Sequence, residues 1–412
     1  MTYVLFKFDG NRRLWSPERD LNPRPAVYET AALPAEPPGH TIPTNENKCA
    51  FLRHSDTLLQ VRHIFKTFDN TLHGGFALSS AKELGERKII DIILKCLDEM
   101  PNMPVPFGDD VSAVNIGHGK LAVIKTDMLV GKTDVPPGMS FRQVARKAVV
   151  MNISDLAAKG VEPVAILASI GIPSDFKETD IKQIGMGLNE GAREYDAYVL
   201  GGDTNEASDL VISCSAFGVC EKQHLMKRSG ARPGDLVAVT GFFGKTASGL
   251  KILLEKLSAP PKIGKALVDS VLMPCARLKE GLALAHTHAV TASIDSSDGL
   301  AWSLHEISRA SNVGFVMDSL PVAPEAEEFA KHHNLDLTEL TLYGGEEYEL
   351  IITVKPKLWE RAKKAVESVG TTLMRVGLVK EEKALLLKRR GETVPVEARG
   401  WEHFKTVKEF LT

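Results

Sequence analysis

Asp295-Ser296-Ser297-Asp298-Gly299-Leu300 separates an apolar run from a helical one, and its pairing of acids with glycine sets the reading of the whole chain. An acid directly after a strand is ordinarily a turn or helix-cap residue. Here the combination recurs in Gly108-Asp109-Asp110, Thr126-Asp127, Asn152-Ile153-Ser154-Asp155, Gly201-Gly202-Asp203 and Gly344-Gly345-Glu346-Glu347. The hydropathy pattern puts these acids at the ends of apolar strands or within helix starts, and strand ends converge on one edge of a sheet. Carboxylates within a few ångströms of one another repel, and each is pushed toward protonation. A cation removes that conflict. Oxygen-only donors select a hard ion, and carboxylates that leave room for water and phosphate select Mg²⁺. His and Cys are absent from the motifs, which argues against zinc. Neighbouring glycines let backbone N–H groups approach phosphate oxygens. The pattern predicts phosphates held through bridging Mg²⁺, the arrangement of phosphoryl transfer.

Outward from these motifs, periodicity predicts helices over residues 142–158, 180–195, 246–257, 276–286, 300–311, 323–333 and 358–369. Ile89, Ile90, Ile93, Leu94 and Leu97 mark one face of another helix. Strands are expected at 121–124, 164–170, 210–220, 236–239, 315–317, 350–354 and 384–388, with Val199-Leu200 leading into glycines. A turn at 229–234 separates two halves. The expected fold class is α+β or mixed α/β in two domains, residues 81–228 and 229–412. Residues 1–80 differ: 15–43 are dense in Pro, Arg and Glu without a sustained period, and only 51–65 could form an amphipathic helix. The run Trp15-Ser16-Pro17-Glu18-Arg19 onward looks like a translated tRNA gene, so 1–80 is expected to be disordered or an extension from a misplaced start.

Composition narrows the classes. The 412 residues carry 43% hydrophobic residues, enough for a full core, and a formal net charge of −3, which gives no general attraction to nucleic acid or anionic membrane. No apolar run approaches the roughly 20 residues of a membrane-spanning helix. Cys49, Cys96, Cys214, Cys220 and Cys275 are scattered, without a C-x-x-C pair, as expected for reduced thiols in the cytoplasm. Gly241-Phe242-Phe243-Gly244-Lys245-Thr246 invites a P-loop reading, but that motif needs four residues between its glycines and this has two. Protein-kinase, hydrolase-elbow and zinc-helix signatures are missing.

With Lys125-Thr126-Asp127, Asn152-Ile153-Ser154-Asp155-Leu156-Ala157-Ala158, Gly201-Gly202-Asp203-Thr204, Arg228-Ser229-Gly230-Ala231 and Gly344-Gly345-Glu346-Glu347-Tyr348-Glu349-Leu350 added, the ordered series resembles the thiamine-monophosphate kinase family over residues 82–405. The resemblance implies a PurM-like fold: an N-terminal domain whose strands join those of a second subunit in a barrel, a C-terminal α/β domain, and a cleft between them. It also implies ATP and Mg²⁺, thiamine monophosphate as acceptor, and a homodimer. Asp110, Lys125, Thr126, Asp127, Asp155, Asp203, Asp295 and Asp298 fall at metal positions, Lys125 through its carbonyl where some members carry Ser. Gly202, Asp203, Arg228 and Ser297 fall at ATP positions. On the acceptor side stand Glu346 and Trp401, with Asp134 where some relatives place His; a Trp face suits stacking on a cationic thiazolium.

An acceptor phosphate monoester, with a second pKa of about 6, is mostly dianionic at neutral pH and needs no general base. The expected site is therefore rich in Asp, with no catalytic His. Relatives of the same fold fit less well. Cys49 lacks the glycine-rich setting of selenophosphate synthetase, Phe410-Leu411-Thr412 lacks the C-terminal Cys of the hydrogenase-maturation type, and Ile124-Lys125-Thr126-Asp127-Met128 differs from the Asp-Gly-Val-Gly-Thr-Lys of aminoimidazole ribonucleotide synthetase. A dimer that binds Mg-nucleotide without turnover is the remaining alternative.

Overall fold

The computed structural model describes residues 79–389 and 391–404, so the expectations for residues 1–78 and for the last eight positions lie outside the described residues. Two short helices, α1 (Ala81–Leu84) and α2 (Glu86–Leu94), come first. A five-stranded sheet follows, built from β1 (Ser112–Gly117), β2 (Lys120–Val130), β3 (Glu162–Ile172), β4 (Tyr198–Glu206) and β5 (Val211–Glu221). Its order is β1-β2-β5-β3-β4, and only β3 and β4 run parallel. The short α3 (Gly131–Asp134) follows β2, while α4 (Phe141–Ala158) and α5 (Glu178–Arg193) cover one face of the sheet.

The other face of this sheet is open in the single chain. Strand alternation brings Val114, Ile116, Ile124, Met128, Leu167 and Phe217 out to it, all exposed. Ile124 stands opposite Phe217 in the register, so the apolar residues adjoin across strands. One chain thus supplies an open sheet and not a closed barrel.

A second sheet of seven strands contains β6 (Leu236–Val239), β7 (Val290–Asp295), β8 (Gly314–Met317), β9 (Leu350–Val354), β10 (Met374–Lys380), β11 (Leu385–Arg389) and β12 (Glu392–Pro395), in the order β12-β11-β8-β10-β6-β9-β7. Its helices are α6 (Lys245–Glu255), α7 (Pro261–Leu272), α8 (Leu278–Ala285), α9 (Leu300–Ser311), α10 (Pro324–His333), α11 (Leu337–Tyr343) and α12 (Trp359–Glu367). No described helix is long and apolar enough to cross a membrane.

The two sheets share a core through α4. Ser140 caps this helix in a reciprocal capping box with Gln143, and the helix is then buried almost all round. Sheet residues lie on one side and α8 on the other. Gly281 of α8 sits so close to the Ala157 carbonyl that a Cβ would collide with it. This tight crossing brings the end of α4 beside the end of β7.

Several expectations need correction. The helix through Ile89 ends at Leu94, short of Leu97, and Ile90 and Ile93 are exposed in the single chain. Asp127 and Asp203 lie within strands rather than after them, and Asp155 lies in the last turn of α4 rather than at a helix start. The glycines after Val199 belong to β4 itself. Helices α7 and α11 and strands β1, β7, β10 and β12 had no counterpart in the periodicity.

Candidate active site

The crossing of α4, β2 and β7 assembles the acids. Asp110 precedes β1, Asp155 ends α4 and Asp295 ends β7; one carboxylate oxygen of each lies within 4.8 Å of the others, and all three residues are buried. Asp127 adjoins them on β2, where Lys125 Nζ lies 3.0 Å from Asp127 Oδ1 and 3.1 Å from Asp155 Oδ2. The Asp127 backbone N–H donates to Asn152 Oδ1 at 3.0 Å, and Ser154 Oγ donates to Asp295 Oδ2 at 2.6 Å. The polar residues of the Asn152–Asp155 motif thus serve as supports for the neighbouring acids.

Two further cations hold the approach. Lys159, wholly buried, lies 2.7 Å from Asp109 and 2.6 Å from Asp110, and donates to the Ser293 carbonyl at 2.7 Å. Arg228 pairs with Asp110, reaches Glu306 at 2.7 Å and donates to the Gly108 carbonyl at 2.8 Å.

Electrostatics divide the carboxylates. Burial raises Asp110, but Lys159 and Arg228 outweigh it and hold the group at about 2. Asp155 is pushed well above the carboxylate range, first by burial and then by Asp295, Asp127 and Asp110, against the pull of Lys125. Asp295 rises to about 6 through burial and the charge of Asp110, with the Ser154 hydrogen bond opposing. Asp298 rises to about 7 through burial and the charges of Glu86 and Asp295. Acids that cannot all ionise in a buried, oxygen-only cluster fit a hard divalent cation such as Mg²⁺.

The remaining expected residues divide. Thr126 and Asp203 are exposed in the single chain, and Asp203 is not one of the three clustered acids. The Thr126 hydroxyl bonds the Cys214 carbonyl and Ser215, and Asp203 is in register with Ser169 on the edge strand β4. Gly202 passes so close to the Ala168 carbonyl that no side chain fits there. Ser297 is exposed, and its carbonyl accepts the Glu346 N–H at 2.6 Å. Trp401 is joined to the same loop by its N–H, which donates to the Asp298 carbonyl at 3.1 Å.

The acceptor-side residues have a link that motif reading missed. Lys147 Nζ, buried in α4, meets Glu346 Oε1 at 2.5 Å and donates to the Asp134 carbonyl at 3.0 Å. The Asp134 carboxylate itself accepts the Val130 N–H at 2.8 Å, so it is engaged in the local turn. Neither Lys147 nor Lys159 stands out in the sequence, because the same helix also carries Arg142, Arg146, Asn152 and Asp155. The P-loop look-alike is closed off, since Glu347 Oε1 accepts the N–H groups of Gly244 at 2.7 Å and Thr246 at 3.0 Å.

Comparison with known proteins gives the family. The AIR synthase related protein family matches in two parts, its N-terminal domain over residues 108–220 and its C-terminal domain over 232–388. Thiamine-monophosphate kinase of Nitrosopumilus maritimus is 35% identical over 78% of this chain and 99% of its own length. That of Pyrococcus horikoshii is 36% identical over 76% of this chain and 96% of its own. A solved structure, AaThiL complexed with AMPPCP and TMP, superposes with a TM-score of 0.70 at 27% identity, covering 80% of this chain and all of the other. With its two-domain PurM-like fold, this chain belongs to the thiamine-monophosphate kinase family.

Proposed function

We propose that this protein transfers the terminal phosphoryl group of ATP to thiamine monophosphate, giving thiamine diphosphate and ADP. The observation that carries the reading is the meeting of Asp110, Asp155 and Asp295, from separate parts of the chain, in one buried cluster. A structural relative bound to AMPPCP and TMP supports the choice of substrates.

Asp110, Asp127, Asp155, Asp295 and Asp298 are the residues that would hold Mg²⁺. Bound there, the ion offsets the repulsion between two polyanionic substrates and polarises phosphoryl oxygens. Arg228 offers a planar fork suited to phosphate, and its pairing with Asp110 and Glu306 fixes the direction in which it points. Ser297 presents its hydroxyl at the exposed edge of the acid site. Glu346 and Trp401, drawn to the Ser297–Asp298 loop by backbone hydrogen bonds, would receive the cationic thiamine. Lys147 orients the Glu346 carboxylate from below. The acceptor phosphate is already mostly dianionic at neutral pH, so the residues supply position and charge rather than a general base.

The same reading includes a homodimer. Its support is the open apolar face of the first sheet. A second copy covering that face would complete a barrel and bring Thr126 and Asp203 out of solvent. A cytoplasmic setting goes with Cys96, Cys214, Cys220 and Cys275, all free thiols.

A coupled assay of ADP release from Mg-ATP, run with and without thiamine monophosphate, tests the reaction. Release that depends on the acceptor and on Mg²⁺ is expected. Folded protein that binds nucleotide but shows no acceptor-dependent release would overturn it.

A further inference from the structure

Two of the cations among the site's carboxylates, Lys159 and Arg228, converge on a single member of the buried triad, Asp110. Lys159 is tied to Asp109, Asp110 and the Ser293 carbonyl. Arg228 is tied to Asp110, Glu306 and the Gly108 carbonyl. Lys125 is different. Its ammonium bridges Asp127 of its own strand and Asp155 of α4, and the latter belongs to the buried triad. Its backbone is held in β2 opposite Ala216 on β5, so the stem always reaches inward from the same point.

We infer that Lys125 is a built-in cation that takes the place of one divalent ion between Asp127 and Asp155. This inference rests on the reading of the acid cluster as a Mg²⁺ site.

An ammonium donates hydrogen bonds at about 3 Å, whereas Mg²⁺ demands oxygens at roughly 2.0–2.1 Å. Both cannot fill one gap, because two cations so close repel in a site with little water. The ammonium keeps two acids from different elements together before any metal arrives. It carries one charge where an ion would carry two. The second oxygens of Asp127 and Asp155, with Asp295, Asp298 and an Asp110 already paired with Lys159 and Arg228, are left for metal. The chain therefore loads fewer ions than its carboxylates alone would accept, and its acid site is partly assembled without metal.

The test is Mn²⁺ binding to the full chain in the presence of a non-hydrolysable ATP analogue, counted by calorimetry and by electron paramagnetic resonance. Lys125→Met, which keeps the stem and removes the charge, is expected to bind one more Mn²⁺ per chain than the parent. Without metal it should melt at a lower temperature, and added Mn²⁺ should recover the difference. Lys125→Ser, with circular dichroism as a check on folding, guards against a fault peculiar to Met. An unchanged number of ions overturns the inference. So does an unchanged number with tighter binding, since that would mean the ammonium moves aside as metal loads. If neither parent nor variant binds Mn²⁺ with nucleotide present, the metal reading itself falls and takes this inference with it.

Discussion

Ser154 donates its hydroxyl to Asp295 Oδ2 across 2.6 Å, joining two buried residues 141 positions apart in the chain. The contact ties the last turn of α4 to the end of β7. It also opposes the burial and the Asp110 charge that raise Asp295 to about 6. Ser154→Ala removes this opposition, so Asp295 should titrate higher and the acid limb of kcat/KM should move to higher pH. A hydrogen bond to a charged acceptor contributes on the order of 2 kcal/mol, and urea denaturation should register a loss of that size. An unmoved acid limb would show that Asp295 does not control the profile.

Asp155 illustrates the opposite balance. Burial raises it first, and Asp295, Asp127 and Asp110 raise it further, while Lys125 alone pulls it down. The folded protein therefore loses stability as pH rises through its elevated pKa. Asp155→Asn removes a repelling charge from the interior. The metal-free variant should melt no lower than the parent at pH 8, while turnover falls on the order of 10²–10³-fold, as when one electrostatic partner of a transition state is lost. Melting and turnover falling together would make Asp155 a structural residue.

The open sheet face gives a third prediction. Ile124 and Phe217 are opposite each other on it, exposed in the single chain. Phe217→Glu places a charge where the second copy should dock, and sedimentation velocity should show monomers. Asp203 shares this sheet but is exposed and outside the buried triad. Asp203→Ala removes an acid expected at the metal site, and should abolish most turnover while circular dichroism shows the fold retained. Full activity in that variant would remove Asp203 from the site.

These cases show what the sequence made legible. Asp110, Asp155 and Asp295 could be picked out because acids beside glycines and apolar runs are conspicuous, and their meeting follows from strand ends and one helix end converging. Asp203 carries the same signature but sits mid-strand at a sheet edge, and hydropathy alone cannot tell a strand end from a polar stretch within an exposed edge strand. Lys147 and Lys159 were passed over for a related reason. A lysine in a helix reads as solvated surface, and only the packing of α4 between the first sheet and α8 reveals that both are buried with carboxylate and carbonyl partners. Strand β12 was missed because it is four residues long and exposed throughout, so it leaves no alternation to read. The role of Lys125 could not be read from the motif either, since it depends on the distance from a strand side chain to the end of a helix.

Glu347 supplies the last prediction, and it concerns stability rather than catalysis. Its Oε1 accepts the N–H groups of Gly244 and Thr246 at the start of α6, filling the place that a P-loop reading would give to phosphate. Burial raises the carboxyl to about 7; the Thr246 and Gly244 hydrogen bonds act against the rise, and the charge of Glu349 adds to it. The folded pKa therefore exceeds the ordinary value of 4.5. A proton is bound more tightly in the folded state, so this contribution to stability is complete below about pH 4.5 and is lost as pH rises through about 7. Glu347→Gln keeps an oxygen acceptor for the two N–H groups and cannot titrate. Measured by urea denaturation between pH 5 and pH 8.5, the parent should lose on the order of 2 kcal/mol relative to the variant as pH increases. Parallel profiles would mean that the carboxylate is ionised throughout, with the two N–H donors prevailing over burial.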